Sequence, residues 1–178
     1  MNRFLIDYHP AAIAKSLCDK HIVKMPLEEA QMLSHALHRY DDTDDDFPTF
    51  CKRMGLQNGP KAHAVHPCTT WAGDTRANFM YGWMMLDEMS REYTNRYRKK
   101  HKCSLLLPLL KELAIRIPDG HITSHPQCFG KGNDHLKTDE EWPIQAYRNY
   151  YRWKYETTEW CGVYKLRDIP RWLKEDAA

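Results

Sequence analysis

The chain holds 178 residues with a formal net charge of +2, 42% hydrophobic residues and 28% charged ones. That is about one domain in length, long enough to bury a core without staples, and too apolar for intrinsic disorder. No apolar run approaches the ~18 residues of a membrane span, and the opening Met-Asn-Arg-Phe-Leu-Ile-Asp meets an acid too early for a signal peptide, so a cytoplasmic protein with no membrane partner is expected.

Residues 10–40 read as helix, with Pro10 suited to a first turn and Ile13, Leu17 and Ile22 at helical spacing. Pro26 should kink this run or open a second helix, because it lacks an N–H and its ring clashes with the preceding turn. The second piece, Leu27 to Tyr40, has Leu27, Ala30, Leu33 and Leu37 on one face, with Glu28 and Glu29 where a helix dipole favours acids. Residues 41–46 form an acidic loop that lacks the glycine and distal glutamate of an EF-hand. Residues 47–66 read as connecting loop. The longest helix should start near His66-Pro67 or at Asp74 and run to about Lys100. A short apolar helix follows over 105–115, then a His-, Gly- and Pro-rich loop over 117–137, then a last long helix from Asp139 to about Glu156. No period-2 strand and no internal repeat occur. The pattern predicts an all-α fold, a single compact multi-helix domain over 1–178 with long connecting loops. It specifies no oligomeric state.

Charge is unevenly spread. Residues 1–60 hold seven Lys and Arg against nine Asp and Glu, whereas residues 91–102 hold six basic residues against one acid. Arg96, Arg98, Lys99 and Lys100 in that run can neutralise phosphates. Tyr147, Arg148, Tyr151, Arg152 and Lys154 interleave rings and cations on a helix, which suits stacking of exposed bases. DNA is the expected partner.

The densest chemical constellation is Cys18 to Gln31. Lys20 and Lys24 lie one turn apart, and His21 and Glu28 share a face unless Pro26 rotates it away. An acid, two amines and an imidazole can supply general acid–base and nucleophilic roles. The six cysteines contain no C-x-x-C pair and read as reduced core residues. His63-x-x-His66-x-Cys68 and His121-x-x-x-His125-x-x-Cys128 carry zinc-type ligands at spacings that match no standard finger, so no metal and no other cofactor is expected. Phosphate-loop, nucleophile-elbow and dinucleotide fingerprints are absent.

The opening M-N-x-F, the run C-D-K-H-I-V-K-M, and then Glu28 and Gln31 resemble a family of small, poorly characterised phage and bacterial proteins. The chain is also similar to the pyrimidine-dimer DNA glycosylases of phage, through Met1, Arg3, Leu17, Asp19, His21 and Glu28, and through His66-Pro67 with Glu92-Tyr93-x-x-Arg96-Tyr97 further on. The second resemblance implies an all-α enzyme in which an amine near the N-terminus attacks C1′ of a damaged nucleoside. A Schiff base then forms, and β-elimination cuts the strand. It places Glu28 at the catalytic acid and has His21 contact the DNA or order the site, with Arg3 and His66 among the DNA-binding positions. Position 2 is Asn rather than a smaller residue, and Leu27 and Gln31 replace the family's flanking arginines. The candidate amines are therefore the α-amine of Met1, that of Asn2 once Met1 is lost, and Lys24 and Lys20. The other readings are a transferase that builds modified pyrimidines in phage DNA and a non-enzymatic nucleic-acid-binding protein.

Overall fold

A computed structural model describes residues 2–43, 45–53 and 64–174. Its α-helices are α1 (Pro10–Ser16), α2 (Asp19–His38), α3 (Phe47–Arg53), α4 (Pro67–Asp74), α5 (Arg76–Tyr97), α6 (Leu107–Leu113), α7 (Ile144–Thr157) and α8 (Arg171–Lys174). No strand occurs among the described residues, and the fold is all-α as the pattern predicted. None of the described helices is long and apolar enough to cross a membrane.

Helix boundaries differ from the sequence expectations for local reasons. The first break falls at Leu17 and Cys18, both extended, rather than at Pro26. α2 is continuous through Pro26, which is buried. An interior proline costs about 3 kcal/mol. α2 also buries Ile22, Met25, Met32, Leu33 and Leu37, and each such side chain contributes about 1.5–3 kcal/mol, so packing outweighs the lost hydrogen bond. Residues 47–53 are helix, not loop; the rest of the expected 47–66 loop, from 54 to 63, lies outside the described residues. The expected long helix is two helices. Thr75 is extended between them, and its hydroxyl accepts from the Asn78 N–H at 3.1 Å, which caps α5. α5 stops at Arg98, whose φ of 57° is left-handed. α7 begins at Ile144 rather than Asp139, because Pro143 biases Trp142 away from helical geometry.

α2 and α5 make the most extensive helix–helix contact, with α1 and α4 packed beside them. The opening segment, residues 2–6, is irregular and enters this core: Phe4, Leu5 and Ile6 are buried. Arg3 enters with them. Its Nε donates to Glu29 Oε2 at 2.9 Å, and its Nη2 donates to Glu29 Oε1, so the pair is bidentate. Neither side chain is more than 2% exposed. Burial disfavours the Arg3 charge, but Glu29 more than restores it. The guanidinium also lies 4.9 Å from the Trp71 ring centroid.

Residues 117–143 are largely irregular, with one short 3-10 turn at Asp134–Leu136. Asn78 holds this segment on the bundle, because its side chain donates to Thr123 Oγ1 at 2.8 Å and accepts from Thr123 N at 2.9 Å.

Gly82 on α5 leaves the space that the Arg3–Glu29 pair fills. A Cβ there would lie 2.7 Å from Glu29 Oε1 and 2.9 Å from Arg3 Nη2. Alanine gains about 1 kcal/mol of helix propensity over glycine, but disturbing a packed buried pair costs more. Gly82→Ala is expected to lower stability by about 1–3 kcal/mol net, read by urea denaturation. A stabilised variant would show that the pair shifts freely.

Candidate active site

One cleft of about 460 Å³ gathers most of the predicted chemistry: Asn2, Lys20, His21, Lys24, Glu28, His66 and Lys154 all line it. That volume suits a small-molecule-sized group such as one nucleotide. α2 runs along one side and contributes Lys20, His21, Lys24, Met25 and Glu28, so Pro26 does not rotate Glu28 away from His21. The opening segment supplies Asn2 and Phe4. The opposite wall comes from Cys128, Phe129 and Gly130, with Tyr150 and Lys154 of α7 and Trp160 beyond it. Three lysines against one carboxylate make the cleft cationic.

Glu28 sits at the centre of the polar groups. The backbone N of Asn2 donates to Oε2 at 3.0 Å, and Lys24 Nζ lies 2.8 Å from Oε1. The carboxylate is buried, whereas the Lys24 side chain is 63% exposed. The Asn2 side chain is fixed as well: its Nδ2 donates to the Cys128 carbonyl at 2.6 Å, and its Oδ1 accepts from Arg3 N at 2.8 Å. Met1 lies outside the described residues. His21 is buried beneath the cleft, with Nδ1 2.9 Å from the Tyr151 hydroxyl and its ring 4.5 Å from that of Phe4. Lys20 Nζ lies 4.5 Å over the Trp160 ring, and Lys154 Nζ lies 5.1 Å over that of Tyr150.

Several predicted DNA contacts are elsewhere. Arg96 is fully buried. Its Nε donates to Glu92 at 2.7 Å, its Nη1 to Asp19 at 2.9 Å and its Nη2 to the Lys15 carbonyl at 3.1 Å. Arg167 completes the cluster on Glu92 at 2.8 Å. Arg96 thus ties α5 to the start of α2, and a phosphate has no access to it. Arg3 is spent on Glu29. Tyr147 and Tyr151 are fully buried, so neither can stack on an exposed base. Their hydroxyls serve the core: Tyr147 donates to the Pro126 carbonyl at 2.8 Å, and Tyr151 accepts from Cys18 N at 2.8 Å. Arg148 donates to the Ile6 carbonyl at 2.9 Å, and Arg152 donates to the Trp172 carbonyl at 2.6 Å. Arg98, Lys99 and Lys100 are exposed. The next residue, His101, has Nε2 3.2 Å from the carbonyl of Val23, which places this basic turn beside the Lys20–Lys24 stretch of α2.

Residues to which the sequence pattern gave no role in the chemistry complete the cleft: Phe4, Met25, Phe129, Gly130, Tyr150 and Trp160, with Cys128 in its wall. For Tyr150 a signal existed. Ala146, Tyr147, Tyr150 and Tyr151 recur at helical spacing, which marks the buried face of α7 and leaves Tyr150 at its edge.

The six cysteines are free thiols, and four of them meet in two pairs. Cys18, His21 and Cys161 form one group, and His66, Cys68 and Cys128 another. Each zinc-type pattern seen in the sequence is split. His66 and Cys68 join Cys128, whereas His125 packs against Arg3, His121 is exposed, and His63 lies outside the described residues. In each sulfur pair one thiol is made more acidic by the S–H of its neighbour: Cys18 by Cys161, and Cys128 by Cys68.

The family model for pyrimidine dimer DNA glycosylase matches residues 1–104. The chain therefore belongs to that family, and the matched part carries the opening segment, α2 with Glu28, and the whole of α5. No curated protein and no solved structure matches the chain.

Burial, and then the charge of Arg3, hold the His125 imidazole well below its ordinary value of 6.5. It is neutral in the fold and titrates near about 6.5 in the unfolded chain. The unfolded state therefore takes up the proton first, and this contribution to stability is lost as pH falls below that value. Thermal melts between pH 7.5 and 5 are expected to show a falling midpoint, with a shallower slope in His125→Asn. Equal slopes would show that His125 is protonated in the fold.

Proposed function

We propose that the chain is a DNA glycosylase with lyase activity on damaged pyrimidine nucleosides, in which Glu28 is the catalytic acid. The observation that carries this reading is the position of its carboxylate, buried in a cationic cleft and in contact with the residue-2 nitrogen on one oxygen and Lys24 on the other. Family membership supplies the substrate class.

The chemistry needs an amine that is uncharged when it attacks C1′. Loss of Met1 makes the Asn2 nitrogen an α-amine, and such amines ordinarily titrate near ~7.7–8.0. Glu28 beside it can take the proton released as the C1′–N bond forms and the base leaves, and can return a proton to the opened sugar. In the β-elimination that follows, the Glu28 carboxylate takes a proton from C2′ of the imine, the C3′–O bond breaks and the 3′ phosphate leaves with the downstream strand. Lys24 is exposed and ion-paired, which suits a charge partner for the phosphodiester. Lys20, over Trp160, and Lys154, over Tyr150, extend that cationic rim. Phe4, Phe129, Tyr150 and Trp160 provide ring faces for an unstacked base, each worth about 1–3 kcal/mol where stacking is complete.

Glu28→Gln keeps the shape of the site and removes the proton carrier. It is expected to lower cleavage of ultraviolet-irradiated DNA by about 10²–10⁴-fold while DNA affinity stays near wild type. Wild-type turnover in Glu28→Gln would remove the acid from the mechanism. Salt-dependent binding with no cleavage by the wild type would leave a DNA-binding protein.

The exposed turn Arg98-Lys99-Lys100 is the proposed phosphate contact outside the cleft. Neutralising all three residues is expected to flatten the dependence of log K on log salt by ~0.9 for each duplex phosphate that is no longer neutralised. Arg96 is left out of that variant, because its removal would break the buried contacts that it makes with Glu92 and Asp19. An unchanged slope would show that this turn faces away from the nucleic acid.

A further inference from the structure

We propose that His66, Cys68 and Cys128 form a binding site for a zinc-class divalent cation on the wall of the cleft. Their ligand atoms all lie within 4.8 Å of one another. The two sulfurs are 3.7 Å apart. A disulfide would require about 2.05 Å. Two thiolates on a tetrahedral zinc, each with a bond of about 2.3 Å, are separated by about 3.8 Å. The observed spacing therefore matches one edge of such a coordination tetrahedron. The imidazole supplies a third ligand, and two thiolates offset the charge of the ion.

The three residues come from different settings. His66 caps α4, Cys68 lies in its first turn, and Cys128 belongs to the irregular segment 117–143. The cap by itself needs no second thiol. His101-Lys102-Cys103 makes the same contact, with Cys103 N donating to His101 Nδ1 at 3.3 Å against 3.2 Å for Cys68 N and His66 Nδ1. Cys103 belongs to neither of the two metal-type groups among the described residues. Convergence of Cys128 on His66 and Cys68 is thus a feature beyond the cap.

The other group, Cys18, His21 and Cys161, is fully buried, and Tyr151 already occupies its imidazole at 2.9 Å. Of that group only His21 lines the cleft, whereas His66 and Cys128 of the proposed site both do, so a fourth ligand would reach the ion from the cleft. Structural zinc sites are commonly closed by a fourth ligand; one with an open position leaves room for water or a substrate oxygen.

The consequence for the cleft is mechanical. The Cys128 carbonyl holds the Asn2 side chain at 2.6 Å, and Phe129 and Gly130 follow it in the wall. An ion on Cys128 would fasten this wall to α4 and so fix the opening segment.

The test uses the full chain purified without chelator. Elemental analysis is expected to find about one zinc per chain. Exchange for cobalt(II) is expected to give the visible bands of a tetrahedral site and a near-ultraviolet thiolate-to-metal band. Cys128→Ser and His66→Gln should each lose the metal and the thiolate band while circular dichroism stays helical. Cys161→Ser and Cys103→Ser should keep both. The proposal fails if folded wild-type protein binds neither zinc nor cobalt. It fails equally if mass spectrometry finds Cys68 joined to Cys128 as a disulfide under the same conditions, or if Cys161→Ser rather than Cys128→Ser releases the ion. None of these readouts depends on DNA cleavage.

Discussion

The buried pair of Arg3 and Glu29 determines where everything near the cleft can sit. Removing two charges from water is costly unless geometry and hydrogen bonds are complete, and breaking one partner of such a pair costs about 3–5 kcal/mol. Here the pairing is bidentate, Gly82 leaves room for it, and Trp71 covers the guanidinium. The pair holds residue 3 at a fixed point on α2. Residue 2 is then delivered to the neighbouring carboxylate, because Glu28 and Glu29 are adjacent on the same helix. One acid anchors the chain and the next faces the cleft. The division follows from a helix turning about 100° per residue, which directs Glu29 into the core and Glu28 towards the cleft.

The cleft is built from two parts of the chain. The family-matched part supplies the opening segment and α2, with the amines, His21 and Glu28. Residues beyond 104 supply the other wall, including Phe129, Tyr150, Lys154 and Trp160. The two parts share one apolar core, with Phe4 against the rings of Tyr150 and Tyr151, and polar contacts add to the join. Tyr151 reaches Cys18 and His21, Cys128 reaches Asn2, and Arg167 reaches Glu92. In the proposed reaction, three of the four ring faces offered to the base, Phe129, Tyr150 and Trp160, lie in sequence that the family model does not cover, and Phe4 lies within it.

The α2 cluster was legible in the sequence because helical spacing fixes which of its side chains share a face. Lys20, His21, Lys24 and Glu28 accordingly meet in one cleft. Arg96 was misread for a physical reason. It stands in a run of cations, and composition does not show that Glu92, one turn earlier, and Asp19, far away in sequence, converge on it. Tyr147 and Tyr151 were misplaced because a Tyr-rich amphipathic helix presents similar chemistry on both faces. Which face is buried is decided by α7 packing against its neighbours, not by its own sequence. The joining of Cys128 to His66 and Cys68 was invisible because 60 residues separate Cys68 from Cys128, and an irregular segment carries no periodicity from which to read its path.

In the proposed reaction, Arg3 and Glu29 deliver the residue-2 nitrogen to Glu28 as the attacking amine. Borohydride reduction during reaction with ultraviolet-irradiated DNA, followed by tryptic mapping of the adduct, tests this most directly. The expected result is a single nucleotide adduct on the N-terminal peptide that ends at Arg3. An adduct on a peptide containing Lys20 or Lys24, or cleavage of the DNA with no adduct formed, would contradict it.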